Sequence, residues 1–473
     1  MATNFPTRQT GGGFHYAWVI IGILSIVQIF GQSISMSAGI MVPELRMPLD
    51  EGGRFGWSPA VIGFALAGYY LVGSLTSPFS GRFGDILGAR KLLMAGGVLF
   101  GVSMVLIGFI TQVWQFFLVY SVMLALTSSI AMVPLMAAVN PWFKRRLGLG
   151  IGLMWAAGGV GAAALAPVYS LLLVNFGWEA TFVTIGLVGG GLTLGLMPFF
   201  RNQPSEKGLM AYGASANDPP PATFSAEASK LRLKVFQRQM KHTRAFWNLP
   251  VIHGMGCAGH GIVLIFVVDF AVTRGIEFTT AAVILTLINV FSIGGRFLVP
   301  IITERVGGKL IMATALAIQS GSVIILLIAG EYMAGHAWAF YLFACVFGLG
   351  FGGEMSAYPV VNRQYFGTGP VATVYGFQIS GAMMGHFIST LIAGIIIQFW
   401  GYIPAFILSM IFSSLGVVVI LTLETTKRQL IPHWEDQLPP EARTPSAGSI
   451  PAVAPPAAAA TGVAFGNVGG DGN

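Results

Sequence analysis

Gly81-Arg82-Phe83-Gly84-Asp85-Ile86-Leu87-Gly88-Ala89-Arg90-Lys91 is a basic, glycine-punctuated break between two long apolar runs. Much later, Glu304-Arg305-Val306-Gly307-Gly308-Lys309 repeats its essentials: an acid, a glycine three places on, then a base. Acid and glycine are both displaced by 219 positions. Two further places keep nearly the same register. Phe176-Gly177-Trp178 with Phe182 is echoed by Trp400-Gly401-Tyr402 with Phe406 at offset 224, and Gly158 and Gly161 by Gly381 and Gly385 at offsets 223 and 224. One such match would be weak, but three in register mark a duplicated unit.

Composition says what surrounds that unit. The chain has 473 residues, 55% of them hydrophobic and 9% charged, with 63 glycines. Soluble domains carry about 25% charged residues, so most of this surface faces something other than water. A membrane-spanning helix needs about 20 apolar residues. Twelve such runs can be counted, at 16–42, 58–80, 92–110, 114–140, 147–174, 181–200, 247–272, 279–302, 310–329, 337–361, 372–398 and 403–423. The expected fold is therefore an all-α membrane protein of twelve helices in two pseudo-symmetric six-helix bundles. Residues 15–200 and 247–424 are the bundles and 201–246 a central loop; 1–14 and a disordered, Pro/Ala/Gly-rich tail at 425–473 flank them. The apolar run after residue 14 is too long for a cleaved signal core.

The net charge of +7 does not point to nucleic acid, because the bases lie in short clusters between apolar runs. Arg82, Arg90, Lys91, Lys144, Arg145, Arg146, Arg305, Lys309, Lys427, Arg428 and the central loop fall on one side, against Arg46, Arg54 and Arg274 on the other. The positive-inside rule then makes both termini cytoplasmic, in a cell membrane, and demands an even number of spans. Within the loop, Lys230 to Arg244 is basic with Leu231, Val235 and Phe236 interspersed; it reads as a solvated connector, or less simply as a lipid-surface or regulatory helix. Cys257 and Cys345 sit in apolar runs and suggest neither a disulfide nor a metal site. No Walker A loop, paired-aspartate diphosphate motif or histidine-rich cluster argues for an enzyme or a cofactor.

The Gly81–Lys91 stretch resembles the loop between helices 2 and 3 of the major facilitator superfamily, G-x-x-x-D-R/K-x-G-x-R-R/K, with Ile86 at a basic position. Narrower features are similar to the oxalate/formate antiporter and monocarboxylate transporter branch. They include Trp142-Phe143-Lys144-Arg145-Arg146 leading into Gly148, Gly150 and Gly152; Ala157-Gly158-Gly159-Val160-Gly161; Lys207-Gly208-Leu209; and His15-Tyr16-Ala17-Trp18. The resemblance implies a monomeric secondary transporter of a small organic anion, a monocarboxylate above all, working by rocker-switch alternating access with protons or a counter-substrate as partner. It also implies a conformational latch at Asp85, Gly81, Gly88 and Arg90, copied at Glu304 and Arg305, in which an acid meets helix N-termini and arginines.

Ionisable groups at mid-membrane are costly and are usually kept for a purpose. Arg296, Glu354, His260 and His386 lie on helices 7, 8, 10 and 11, which line the cavity in this superfamily. Helix positions in the first half offer Gln28, Gln32, Ser33, Ser35, Tyr69, Tyr70, Tyr120, Thr127, Ser128 and Trp155 instead. Gly294-Gly295-Arg296-Phe297 resembles the branch's helix 8, where an arginine binds substrate carboxylate; a planar guanidinium can donate two parallel hydrogen bonds to one. The plainer reading of Arg296 is a fixed pair with Glu354, and Glu354 is itself the proton-coupling candidate. Asp269 is read as a gate contact of Arg274. Met36, Ser292 and Ala382 stand where the branch carries a lysine, an aspartate and a lysine, which leaves one cation and suits a single carboxylate. The rival readings are a carrier of a drug or other small metabolite and, more remotely, a non-transporting membrane sensor.

Overall fold

The computed structural model describes residues 14–46, 49–51, 54–215, 218 and 224–444. The side chains of Ser33 and Ser35, the first 13 residues and the disorder expected past Thr444 lie outside the described residues. In order, the helices are α1 (Tyr16–Arg46), α2 (Pro59–Leu87), α3 (Ala89–Gly108), α4 (113–138), α5 (147–176) and α6 (178–196). After them come α7 (Ala226–Lys241), α8 (Arg244–Thr273), α9 (Phe278–Val306), α10 (Gly308–Tyr332), α11 (Ala337–Phe366), α12 (Ala372–Trp400) and α13 (Tyr402–Leu421).

Lipid offers no partners to backbone polar groups, so apolar runs of this length close their hydrogen bonds within helices. Ten described helices are long and apolar enough to cross a membrane. One of them, Leu147–Leu196, is α5 and α6 run together across Gly177, whose φ of 77° and ψ of 179° are non-helical. Dividing it, and adding α1, gives the twelve spans expected. Their ends are set locally. The Ser58 hydroxyl accepts from Val61 N–H at the start of α2 and the Thr243 hydroxyl from Phe246 N–H at the start of α8. Lys309 reaches back to the carbonyls of Leu421 and Leu423 at the end of α13.

Packing follows the repeat. Within the halves α1 lies on α5 as α8 lies on α12, and α3 on α6 as α10 on α13. The echoed glycines do equivalent work: Gly158 and Gly161 let α5 approach Gln28 and Ile29, while Gly381 and Gly385 let α12 approach Pro250 and Gly254. Between halves, α2 packs on α12 and α5 on α9, the same contact with the halves exchanged.

The apolar core is asymmetric along the bundle axis. At the end bearing Asp85 and Glu304, one continuous cluster includes Trp142 and Ile151 of the first half with Phe246, Tyr358 and Tyr375 of the second. Toward the other end it divides into a cluster per half, around Tyr120, Trp178 and Phe182 in one and around Phe270, Phe343 and Phe406 in the other. The halves are joined at the Asp85 end and separate beyond it.

Two expectations are corrected at that joined end. The stretch 230–244 is not a solvated connector. Its residues 230–241 form most of α7, whose Phe236 and Met240 are fully buried, so one face of the stretch is docked on the bundle and not solvated. The tail does not lose order at residue 425 either. Short helical turns at Trp434–Gln437 and Pro440–Ala442 dock on α7, and Trp434, Leu438 and Ala442 are buried.

Candidate functional site

Between the halves lies a cavity of about 160 Å³, lined from the first half by Gln28 and Gln32 of α1, Tyr69 and Tyr70 of α2, Thr127 and Ser128 of α4, and Trp155 of α5. The second half adds His253 and Cys257 of α8, Met355 of α11, and Ile379, Met383 and His386 of α12. The Tyr69 hydroxyl shares a 2.6 Å hydrogen bond with Ser128. Tyr70 stacks on His386 across the divide, ring centres 4.9 Å apart. Tyr120 stands behind Tyr69 at 5.5 Å and stacks on Phe116, within a π-helical stretch of α4 (Phe117–Leu124). It supports the wall rather than forming it.

Arg296 and Glu354 sit deeper than expected. Neither is among the residues lining the cavity. The guanidinium of Arg296 lies 5.4 Å over the Phe351 ring, and a side chain at Gly159 of α5 would meet its terminal nitrogen at 3.3 Å. It is thus wedged between the halves, 5% exposed. Among the described residues it makes no ion pair, and its Nε has no hydrogen-bond partner. The fixed Arg296–Glu354 pair is therefore absent. Glu354 is fully buried with its carboxyl packed on Gly256; Oε1 accepts a 2.6 Å hydrogen bond from its own helix's Tyr358, and Oε2 has no hydrogen-bond partner. Helical spacing gave the depth of both residues along the bundle. It could not give which inter-helix seam each side chain enters.

Other buried polar groups converge on the same seam. Gln28 lies against Gly158 and Arg296 against the adjacent Gly159, with Trp155 one turn earlier on α5. Both ends of the Gln28 amide and the Trp155 indole N–H lack partners. An unpartnered buried polar group costs about 1–3 kcal/mol, so three such atoms side by side leave an unmet polar demand at this seam. On the other wall, His260 packs 4.6 Å from Phe351 and 5.0 Å from His386. The sequence reading saw no metal-ligand set, yet the ligating atoms of Cys257, His260 and His386 lie within 4.8 Å of one another. His253, Cys257 and His260 share one face of α8 at i, i+4 and i+7, and that spacing was the available signal.

The residues expected to act as a latch form two equivalent joints. The Asp85 carboxylate accepts from the backbone N–H of Ala372 and Thr373, each at 3.0 Å, and from the Thr373 hydroxyl at 2.6 Å, capping α12. Glu304 accepts from the N–H groups of Leu147 and Gly148 at 3.1 and 2.7 Å, capping α5. Each acid thus caps a helix of the opposite half, where four N–H groups are otherwise open. Gly88 and Gly307 leave their helices at φ of 80° and 106°, which a side chain would resist. Gly81 packs on the Ala372 carbonyl. The arginines expected to meet the acids do not. Arg90 contributes only its backbone N–H, to Asn202, and Arg305 is exposed. Asp269 is held by the Tyr402 hydroxyl, while Arg274 pairs with Glu331 at 2.5 Å.

Two related six-helix halves about a central cavity, joined at one end by acids that cap each other's helices, define a multi-pass membrane carrier of the two-bundle kind, not an enzyme. The chain belongs to the Major Facilitator Superfamily, whose family profile matches residues 17–377. It is 24% identical over 303 residues to human "Monocarboxylate transporter 11", covering 62% of this chain and 59% of that one, so it spans somewhat over half of that relative. It is also 24% identical to human "Monocarboxylate transporter 2" over 355 residues, 72% of this chain and 71% of the relative. Mouse "Monocarboxylate transporter 12" matches at 21% over 92% of this chain and 91% of its own. The proton:xylose symporter XylE bound to 6-bromo-6-deoxy-D-glucose superposes with a TM-score of 0.67 at 13% identity, over 88% of this chain and 98% of that one; at that identity the likeness is of fold alone.

Proposed function

We propose that the protein is a secondary transporter of a small organic acid with a single carboxylate, working by alternating access. The observation that carries this reading is Arg296: a permanent cation, nearly fully buried at the seam between the halves, without a counter-charge among the described residues. A buried charge of this kind is costly until it is paired, and a carboxylate suits its planar fork. The unpartnered Gln28 amide and Trp155 N–H would supply further donors. The relatives named as monocarboxylate transporters support the same solute class. Fused at the Asp85 end and divided beyond it, the core has the asymmetry of one state of a two-state carrier. In its counterpart the Asp85 and Glu304 joints open and Arg296 gains access. Glu354 is the proton-coupling candidate, since it lies off the cavity and one of its oxygens is free to change partners.

The test is counterflow of radiolabelled monocarboxylates into liposomes containing Arg296→Ala. Folding of the variant is confirmed by its melting temperature. Loss of uptake in folded protein is the expected result, and uptake at the parent rate would refute the role. A carrier of a less polar solute is the second reading, favoured by the rings and methionines of the cavity wall. Stabilisation of the purified protein by neutral apolar solutes but not by carboxylates would select it.

A further inference from the structure

We infer that Cys257, His260 and His386 form a binding site for a soft or borderline transition-metal ion, with Zn²⁺ and Cu⁺ the best-matched, at the cavity wall between α8 and α12. Four observations support it. The three ligand atoms are a thiol sulfur and two imidazole nitrogens, the donor types these ions prefer, and all lie within 4.8 Å of one another. On a common Zn²⁺ with bonds of about 2.0–2.3 Å the same atoms would stand roughly 3.3–3.6 Å apart, so closing the set needs about 1 Å of side-chain movement. His260 is 1% exposed and its Nδ1 has no hydrogen-bond partner. Cys257 and His386 both line the cavity, which gives the ion a route in.

The site opens on the cavity through Cys257 and His386. The Arg296 guanidinium lies over the same Phe351 ring that His260 packs against, so the thiolate and imidazoles must hold the ion near a fixed positive charge. Cys257 and His260 come from successive turns of α8, and His386 crosses to them from α12, where Gly261 and Gly385 keep the two helices close. None of the three ligands is a carboxylate, and among the described residues Glu354, near Cys257, is the one acid close by, so hard ions such as Mg²⁺ and Ca²⁺ find too few oxygens. Three protein ligands leave the fourth position of a tetrahedral ion facing the cavity, to be filled by water or by an anion there. Binding converts the Cys257 thiol to a thiolate and releases one proton to solvent. An occupied site ties α8 to α12 and pins His386, on which Tyr70 of the opposite half stacks.

Binding is read on the metal itself, in purified full-length protein in detergent, with Co²⁺ as a spectroscopic stand-in for Zn²⁺. The expected result is one Co²⁺ per chain with a thiolate-to-metal absorption band. That band is abolished in Cys257→Ser, lost or strongly weakened in His386→Gln, and displaced by Zn²⁺. Zn²⁺ also raises the melting temperature of the parent by a few degrees and leaves that of Cys257→Ser unchanged. Cys257→Ala, which fills nearly the same space, serves if the serine variant folds poorly. Parent protein that takes up Co²⁺ without a thiolate band, or keeps its Zn²⁺ shift after Cys257 is replaced, would overturn the proposal, because binding would then lie at surface histidines such as His336 or His433. The result does not depend on the solute. A normal metal signature with Arg296-independent uptake would strike the carboxylate reading and leave the metal site standing.

Discussion

The Asp85 carboxylate grips both the backbone N–H and the hydroxyl of Thr373, at 3.0 and 2.6 Å, across the boundary between the two halves. It sits where the N-terminus of α12 offers open donors and a partial positive charge. Its partner joint, Glu304 on Leu147 and Gly148, makes the same contact in the opposite sense. Among the described residues neither acid is bonded to an arginine, although Arg363 lies within electrostatic range of Glu304. Two helix caps therefore bridge the halves at this end, and the proposed alternating cycle requires them to open.

Asp85→Asn keeps the shape but gives up the charge and one acceptor. A cap is worth about 0.5–2 kcal/mol, so the closed-to-open ratio should fall about twofold to thirtyfold. Glu304→Gln should act likewise. The two joints share no partner, so the double variant should show nearly the sum of both free-energy changes. Spin-label distances between Arg82 and Arg428 positions, each replaced by cysteine, report the opening. An unchanged distance distribution in the double variant would remove both acids from the latch.

Gly81→Ala tests the same joint by shape. An added methyl would stand 2.5 Å from the Ala372 carbonyl and 3.0 Å from Thr373 Cα, both backbone. No side-chain rotation relieves that overlap, so the halves must part. Transport should fall at least tenfold with expression retained. Gly22→Ala is the control: nothing lies within 4 Å of the added carbon, and in a helix the change favours stability by up to about 1 kcal/mol. Equal transport in both variants would show that the Gly81 contact does not matter to the cycle.

Gln28→Met separates function from stability. Both polar ends of the Gln28 side chain are buried without partners, a cost of about 1–3 kcal/mol that a shape-matched apolar chain removes. The variant should melt a few degrees higher than the parent and transport carboxylates less well. A lower melting temperature would mean that the amide is satisfied in the resting protein. Parent-like affinity would take it out of the substrate site.

The legibility of this chain in its sequence tracks how local each feature is. Helix spans, the acid–glycine joints and the paired glycines on α5 and α12 were all readable, because each is encoded within one or two turns and then repeated by duplication. Arg296 and Glu354 were found as buried ionisable residues, yet the pairing offered as the plainer alternative is absent, since depth along a helix does not fix direction around it. Trp434, Leu438 and Ala442 were hidden for another reason. They stand in a Pro- and Ala-rich tail with no helical period of its own, and their order comes from α7, some 200 positions earlier. His386 likewise joins Cys257 and His260 only through the close packing of α8 and α12.

The docked tail yields the last prediction. Arg232 of α7 pairs with Glu435 at 2.6 Å and lies over the rings of Phe224 and Trp434. Phe236 packs on Trp434 and fills the space above Gly369, while Gln237 donates to the same Thr373 hydroxyl that serves Asp85. This strap, α7 with the docked segment 430–444, is thus bonded to the Asp85 joint. Burial pushes the Glu435 carboxyl up, but the Thr444 N–H and hydroxyl and the Arg232 guanidinium outweigh it and hold the group below its ordinary value. A carboxyl depressed by docking stabilises the docked form above its undocked pKa and loses that contribution as pH falls through the docked one. The strap should therefore stay bound at neutral pH and loosen only below the usual carboxylate range of about 4. Phe236→Ala removes a fully buried ring, a loss of about 3–5 kcal/mol, and should release 430–444 at neutral pH. Hydrogen exchange over that segment reads both effects. Release of the strap should also raise exchange at Ala372 and Thr373, the capped end of α12. Unaltered exchange there, with 430–444 freed, would show that the latch closes without help from the strap.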